Sequence, residues 1–140
     1  MNPLRNAPAL ALAVALCACS VPDDAASARN KLIGSYTLVV PADPPKARKD
    51  LVGSTLRLTR DGMFTQQCRY KNGNTDSAIG TWSYSNRRAQ FSVFKDCAGG
   101  LAASSAKGQT GVSFAVDLDP PPRIHVSPRI EARYERRGAP

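Results

Sequence analysis

From residue 35 onward the chain breaks into short segments in which apolar, aromatic or β-branched side chains recur at every second position, separated by clusters of Gly, Pro, Asn and Asp. That period of two is the mark of strands with one dry and one wet face. Seven strands are predicted: 35–40, 54–60, 63–70, 78–85, 89–95, 112–118, and a broken last strand over 123–126 and 129–134. No segment sustains a helical period. On the second strand Leu56 and Leu58 share one face, with Thr55, Arg57 and Thr59 on the other; on the third, Phe64, Cys68 and Tyr70 face inward with Gln66 among them. Trp82 and Tyr84, Phe91 and Val93, and Phe114 and Val116 continue the dry face. Leu38, Ile124, Ile130 and Tyr134 complete the predicted core.

The breaks are as informative as the runs. Asp61-Gly62 predicts a tight hairpin turn, because glycine takes the positive φ that two-residue turns require. Gly80, inside the fourth strand, points to a bulge, a bend or the close approach of another backbone. Residues 96–111, rich in Gly, Ala and Ser, have no period and read as a crossover. Pro120, Pro121 and Pro122 remove three donors in a row and exclude a central strand there. The basic residues of the last strand suit a sheet edge. The expected fold is all-β: a small antiparallel meander closed or nearly closed into a barrel, or else folded into a two-layer sandwich.

A different pattern occupies the start. Arg5 is followed by an unbroken run of apolar residues and one proline, Ala7 to Leu16, and then small residues before Cys19. Such a layout is that of an export signal, and the run is far short of the roughly 20 residues that cross a bilayer. The expected organisation is a signal peptide over 1–18, a tether over 19–31 and one β domain over 32–137. Leu16-Cys17-Ala18-Cys19 looks like a bacterial lipobox, which implies that Cys19 becomes the acylated first residue of the mature protein. Ordinary secretion with two incidental cysteines is the competing reading. Ser20, where Asp would retain an inner-membrane protein, resembles the sorting signal of outer-membrane lipoproteins. The expected location is the periplasmic side of the outer membrane, with the cell surface and soluble periplasm as alternatives.

Export leaves two cysteines beyond the lipid site, Cys68 and Cys97, and an oxidising compartment favours their pairing. A metal thiolate pair is weaker, since no histidine stands near them; two buried free thiols remain the other alternative.

The order Gly34-Ser-Tyr36, Leu56-Arg-Leu-Thr-Arg-Asp-Gly-Met-Phe64, Gly80-Thr-Trp82 and Phe91-Ser-Val93 resembles that of small lipocalin-like bacterial lipoproteins, including the copper-resistance type called NlpE. The resemblance spans residues 34–94 and implies a barrel. It carries no metal function across, because this chain has Pro41-Ala-Asp-Pro-Pro45 where the copper-resistance type has Cys-x-x-Cys, and Met63 is the only methionine beyond the export segment.

Chemistry has little to stand on. His125 is the only histidine, with Ser127 near it but no carboxylate at a suggestive spacing; Asp117 and Asp119 precede a proline turn; no nucleophile elbow and no phosphate-binding loop occur. No enzyme activity, no cofactor and no metal are expected. The chain's formal charge of +8 falls to +7 once Arg5 leaves with the export segment, and export argues against nucleic acid as the counter-charge. What remains is a cationic exported domain, expected to be monomeric. Its hairpin turns Thr55, Arg57, Thr59, Thr65, Gln67 and Arg69 outward. A second basic group, Arg123, Arg129, Arg133, Arg136 and Arg137, is offset by Glu131 and Glu135. Thr55, Arg57, Thr59, Gln67 and Arg69 are therefore the candidate surface for an acidic envelope protein or an anionic glycan, as in an inhibitor or immunity-type protein. The alternative is a carrier whose inward aromatics line a pocket for a small apolar ligand.

Overall fold

The computed structural model describes residues 24–41, 48–99 and 111–138; Cys19 and the expected signal peptide over 1–18 lie outside them. It is an eight-stranded antiparallel barrel in which every strand pairs with its sequence neighbours and the last closes on the first. The elements are α1 (Asp24–Leu32), β1 (Gly34–Val39), β2 (Leu51–Leu58), β3 (Met63–Tyr70), β4 (Thr75–Ser85), β5 (Arg88–Phe91), β6 (Val112–Asp117), β7 (Arg123–Ser127) and β8 (Ala132–Arg136). A closed meander rather than an open sandwich is thus the outcome.

The segment read as one broken last strand is two, β7 and β8, joined by the turn at 128–131, where Glu131 takes φ +53°. The basic residues assigned to an edge stand on a strand bonded on both sides. Closure removes the unpaired donors and acceptors that an edge would expose.

Turn chemistry sets the register. Gly62 N–H donates to the Thr59 carbonyl at 3.2 Å and Thr59 N–H to Met63 at 3.0 Å, so the β2–β3 connection holds three residues, not two, with Gly62 at φ +85°. The extra left-handed residue reconciles a type I turn with strand twist. The β3–β4 turn repeats the device with Gly73 at φ +83°. Asn86 and Arg87, at φ +51° and +58°, form a two-residue turn between the paired Ser85 and Arg88.

Period two then fills the lumen. Tyr36, Leu56, Leu58, Phe64, Phe91, Ile124 and Tyr134 are almost wholly buried. The fifth strand stops at Phe91, earlier than its pattern suggests. Val93, predicted inward, is 43% exposed, while the Phe94 ring enters the lumen and lies 4.8 Å from Phe114, 5.1 Å from Phe91 and 6.1 Å from Tyr134. The cause is local. Ser92 still donates to the Thr81 carbonyl at 3.0 Å, but beyond it the chain is drawn across the barrel end by Lys95 and Cys97. Gly80 admits this crossing, since a Cβ there would sit 2.9 Å from the Phe64 ring and would strike Ser92. What crowds Gly80 is the side chains of Ser92, Phe64 and Val93, not the neighbouring backbone that the sequence suggested. Leu38, Tyr84 and Val116, also predicted core, are only partly buried.

The end of the stretch read as a tether is helical. Among the described side chains of α1 only Ala28 and Leu32, four residues apart, are buried, so the helix packs through one narrow contact that leaves no amphipathic pattern. It is held instead by polar bonds. Arg29 stacks on Trp82 at 4.7 Å and donates to the Arg60 carbonyl at 3.0 Å, and Arg136 donates to the Lys31 carbonyl at 3.1 Å. Tyr36 donates its hydroxyl to Leu32 at 2.6 Å; burial pushes that phenol up to about 12, with Arg136 pulling the other way.

Candidate functional site

Outward positions of β1 to β4 line up in rows across the wall. One row runs Thr37, Thr55, Gln67, Ser77 and the next Ser35, Arg57, Thr65, Ile79. Thr55, Arg57, Thr65, Gln67, Ser77 and Ile79 border a shallow depression there. Four of the five predicted contact residues therefore share one wall: Thr55, Arg57 and Gln67 at the depression, and Arg69 one row beyond, between Gly53 and Thr75. Thr59 does not join them. Its hydroxyl is committed to the β2–β3 turn, touching Asp61 and donating to the Met63 carbonyl at 2.8 Å, while its own carbonyl accepts the Trp82 indole N–H at 3.0 Å.

The structure adds Ser77 and Ile79 to the surface. Their signal in the sequence is the parity of β4: with Trp82 inward, odd positions face out. Starting the strand at residue 78 left Ser77 outside it. Ile79, 68% exposed, is the most exposed large apolar side chain among the described residues. It lies opposite Thr65, next in the row to Arg57.

The electrostatics of this wall differ from those of the opposite one. On β6–β8, Arg123 lies 3.2 Å from Asp117 and 3.4 Å from Glu135, and Arg133 lies 2.7 Å from Glu135. Arg133, then Arg123, holds the Glu135 carboxyl below its ordinary range; Asp117 is lowered first by the Asp119 N–H and then by Arg123. These charges answer one another. On β2 and β3 the outward positions carry Arg57 and Arg69 and no carboxylate, and neither arginine has an ion-pair partner among the described residues.

His125 projects outward from β7, between Ala115 and Arg133 in the sheet. It lines a groove with Asp117, Arg123 and Glu131. Among the described residues no group of three or more His, Cys, Asp or Glu side chains is placed to hold a metal ion.

Inside the barrel is a polar group that the sequence only half disclosed. The Gln66 amide donates to Tyr134 Oη at 2.9 Å and to the Lys95 carbonyl at 3.0 Å, and accepts from Lys95 N–H at 2.9 Å. Ser54 Oγ lies 2.6 Å from Tyr134 Oη and 3.5 Å from Cys97 Sγ. Cys68 and Cys97 stand at disulfide distance, with Cα atoms 5.8 Å apart. The Tyr134 phenol is raised by burial, while its bonds to Ser54 and Gln66 act in the opposite sense. Gln66 serves the 92–99 segment as a neighbouring strand would, satisfying both backbone groups of Lys95. Among these buried polar groups each has a partner, so the cluster holds the fold together rather than awaiting a ligand.

No protein-family model, no curated protein and no solved structure matches this chain.

Proposed function

We propose that this chain is a lipid-anchored binding module of the bacterial cell envelope, held at the periplasmic face of the outer membrane through Cys19. In this reading it contacts an acidic protein or anionic polymer through the β2–β4 wall. The observation that carries it is the charge asymmetry of the barrel: Arg123 on β7 and Arg133 on β8 are paired with carboxylates, whereas Arg57 and Arg69 face solvent beside Thr, Gln and Ser side chains and the exposed Ile79. Arginine can meet carboxylate or phosphate bidentately, and an apolar contact beside it supplies the water-excluding part of an interface. An inhibitor or immunity-type role fits this format. Carriage of a small apolar ligand is disfavoured, because the rings of Phe64, Phe91, Phe94, Phe114 and Tyr134 pack on one another in the lumen.

Two measurements test the two halves of this reading. Crosslinking capture from envelope extract should yield a partner whose recovery falls as salt rises. In Arg57→Glu with Arg69→Glu, capture should drop about tenfold or more, while stability stays within about 0.5 kcal/mol per substitution, as for exposed sites. Equal recovery by the double variant would remove the wall from consideration. Fatty-acid labelling should be abolished by Cys19→Ser; labelling that persists in that variant would overturn the anchor.

A further inference from the structure

An antiparallel meander sends its connections alternately to two ends, and here the ends differ. At one lie the connections β2–β3, β4–β5 and β6–β7 together with α1 and the residues after β8. At the other lie β1–β2, β3–β4, β5–β6, β7–β8 and the Cys68–Cys97 pair. The first end is closed by α1, bonded to it through Arg29, Lys31, Leu32 and Arg136.

Two independent features single out the capped end. The first is chain length. Residues 19–23 connect the lipid-bearing position to Asp24, and five residues span at most about 18 Å whatever their conformation. A domain of this size is about 35 Å across. The capped end is therefore held near the membrane while the opposite end stands off. The second is charge. Lys31, Arg60, Arg87, Arg136 and Arg137 are all exposed on this end, against Asp61 and Asp119; Asp117, also there, is paired with Arg123. Asp23 and Asp24 of the approaching chain reduce this balance without reversing it.

We infer that the capped end is a membrane-docking surface, seated on anionic phospholipid headgroups through Lys31, Arg60, Arg87, Arg136 and Arg137. The acyl group then fixes distance and the cations fix orientation. The barrel stands upright, its β2–β4 wall open sideways to a partner and its disulfide end pointing away. The orientation rests on the lipid-anchor reading, but the headgroup contact has its own test.

That test uses the mature chain with Cys19→Ser, exported from a signal lacking a lipobox, so that no acyl group contributes. It is sedimented with vesicles of phosphatidylglycerol mixed with phosphatidylcholine, and with vesicles of phosphatidylcholine alone. Binding is expected only to the first and should be lost at high salt. Each cation near an anionic surface contributes roughly fivefold in affinity. Arg60→Glu with Arg87→Glu should therefore weaken binding by about twentyfold or more. Lys49→Glu with Lys71→Glu, an identical charge change at the far end, should leave most of it. Circular dichroism on each variant separates loss of binding from loss of fold, and Lys31→Glu replaces either capped-end change that unfolds the barrel. Equal losses from the two pairs, equal binding to neutral vesicles, or no binding to phosphatidylglycerol would each overturn the surface. None of these outcomes bears on acylation, which the labelling of the wild-type chain decides.

Discussion

Phe91→Ala is expected to cost about 3–5 kcal/mol of unfolding free energy, the range for deleting a buried phenylalanine. The Phe91 ring is almost fully buried and stands 5.0 Å from Phe64 in an edge-to-face arrangement, 5.1 Å from Phe94 and 5.9 Å from Phe114. Losing it removes burial and the partner of three rings. The strands around it are tied into a closed hydrogen-bonded cylinder and cannot collapse far into the gap, so most of the cavity cost is retained. In urea the midpoint should fall by about 2 M with the slope unchanged, since a domain of this size has a slope near 1–2 kcal/mol per M. Phe91→Leu keeps most of the volume and should cost much less. The same experiment weighs the two functional readings. A filled lumen gives the large loss, and a small aromatic such as benzene then stabilises the alanine variant but not the wild type. A lumen built as a ligand chamber gives a small loss, and the wild type itself gains stability from the apolar ligand.

The parts of this barrel that the sequence disclosed are those set by period two. On β3 the inward set Phe64, Gln66 and Cys68 follows from alternation alone, because the strand is regular from end to end and one face must be dry. Charge parity made the outward surface legible too: once Leu56 and Leu58 face in, Arg57 has to face out. What alternation could not reveal is where a strand ends. Phe91, Val93 and Phe94 read as one continuing strand; the decision to leave it is made by Gln66 and Cys68 on β3, from which Lys95 and Cys97 are about 30 positions distant in sequence. Phe94 therefore occupies the place that alternation gave to Val93.

α1 failed for a related reason. A helix that buries only Ala28 and Leu32 shows no amphipathic face, and its remaining contacts are donors meeting carbonyls on other elements. Such contacts depend on which backbone groups arrive nearby, not on residue periodicity. The loss of Thr59 from the contact surface has the same origin. A side chain that caps its own turn is indistinguishable in the sequence from one that faces solvent, since both are polar and both can stand at a strand end.

Removing the disulfide, by Cys68→Ser with Cys97→Ser, is expected to cost roughly 3.5 kcal/mol in the chain-entropy model for a closed segment of this length. The two cysteines are 29 positions apart, and the segment between them contains β4, β5 and the crossing that carries Phe94. Serine suits the site, because Ser54, Gln66 and Tyr134 already surround the two sulfurs with hydrogen-bonding groups. The loss should thus come mostly from the unfolded chain regaining freedom, and the urea slope should rise slightly as that chain expands. Gln66 separates this effect from the native contacts. It grips Lys95 through two hydrogen bonds whether or not the sulfurs are joined, so the reduced barrel should keep residues 92–97 across its end and retain near-UV circular dichroism from the packed rings. Adding Gln66→Leu to the serine pair removes the second grip and leaves the Lys95 N–H without its partner, while the carbonyl keeps the Cys97 N–H, at a further cost of about 1–3 kcal/mol. In that triple variant the near-UV signal should fall while the far-UV strand signal persists, since the eight strands pair without help from residues 92–97. A serine pair as stable as the wild type would show that the pair constrains nothing in the unfolded chain. Loss of the near-UV signal in the serine pair alone would show that Cys97, and not Gln66, holds the crossing in place.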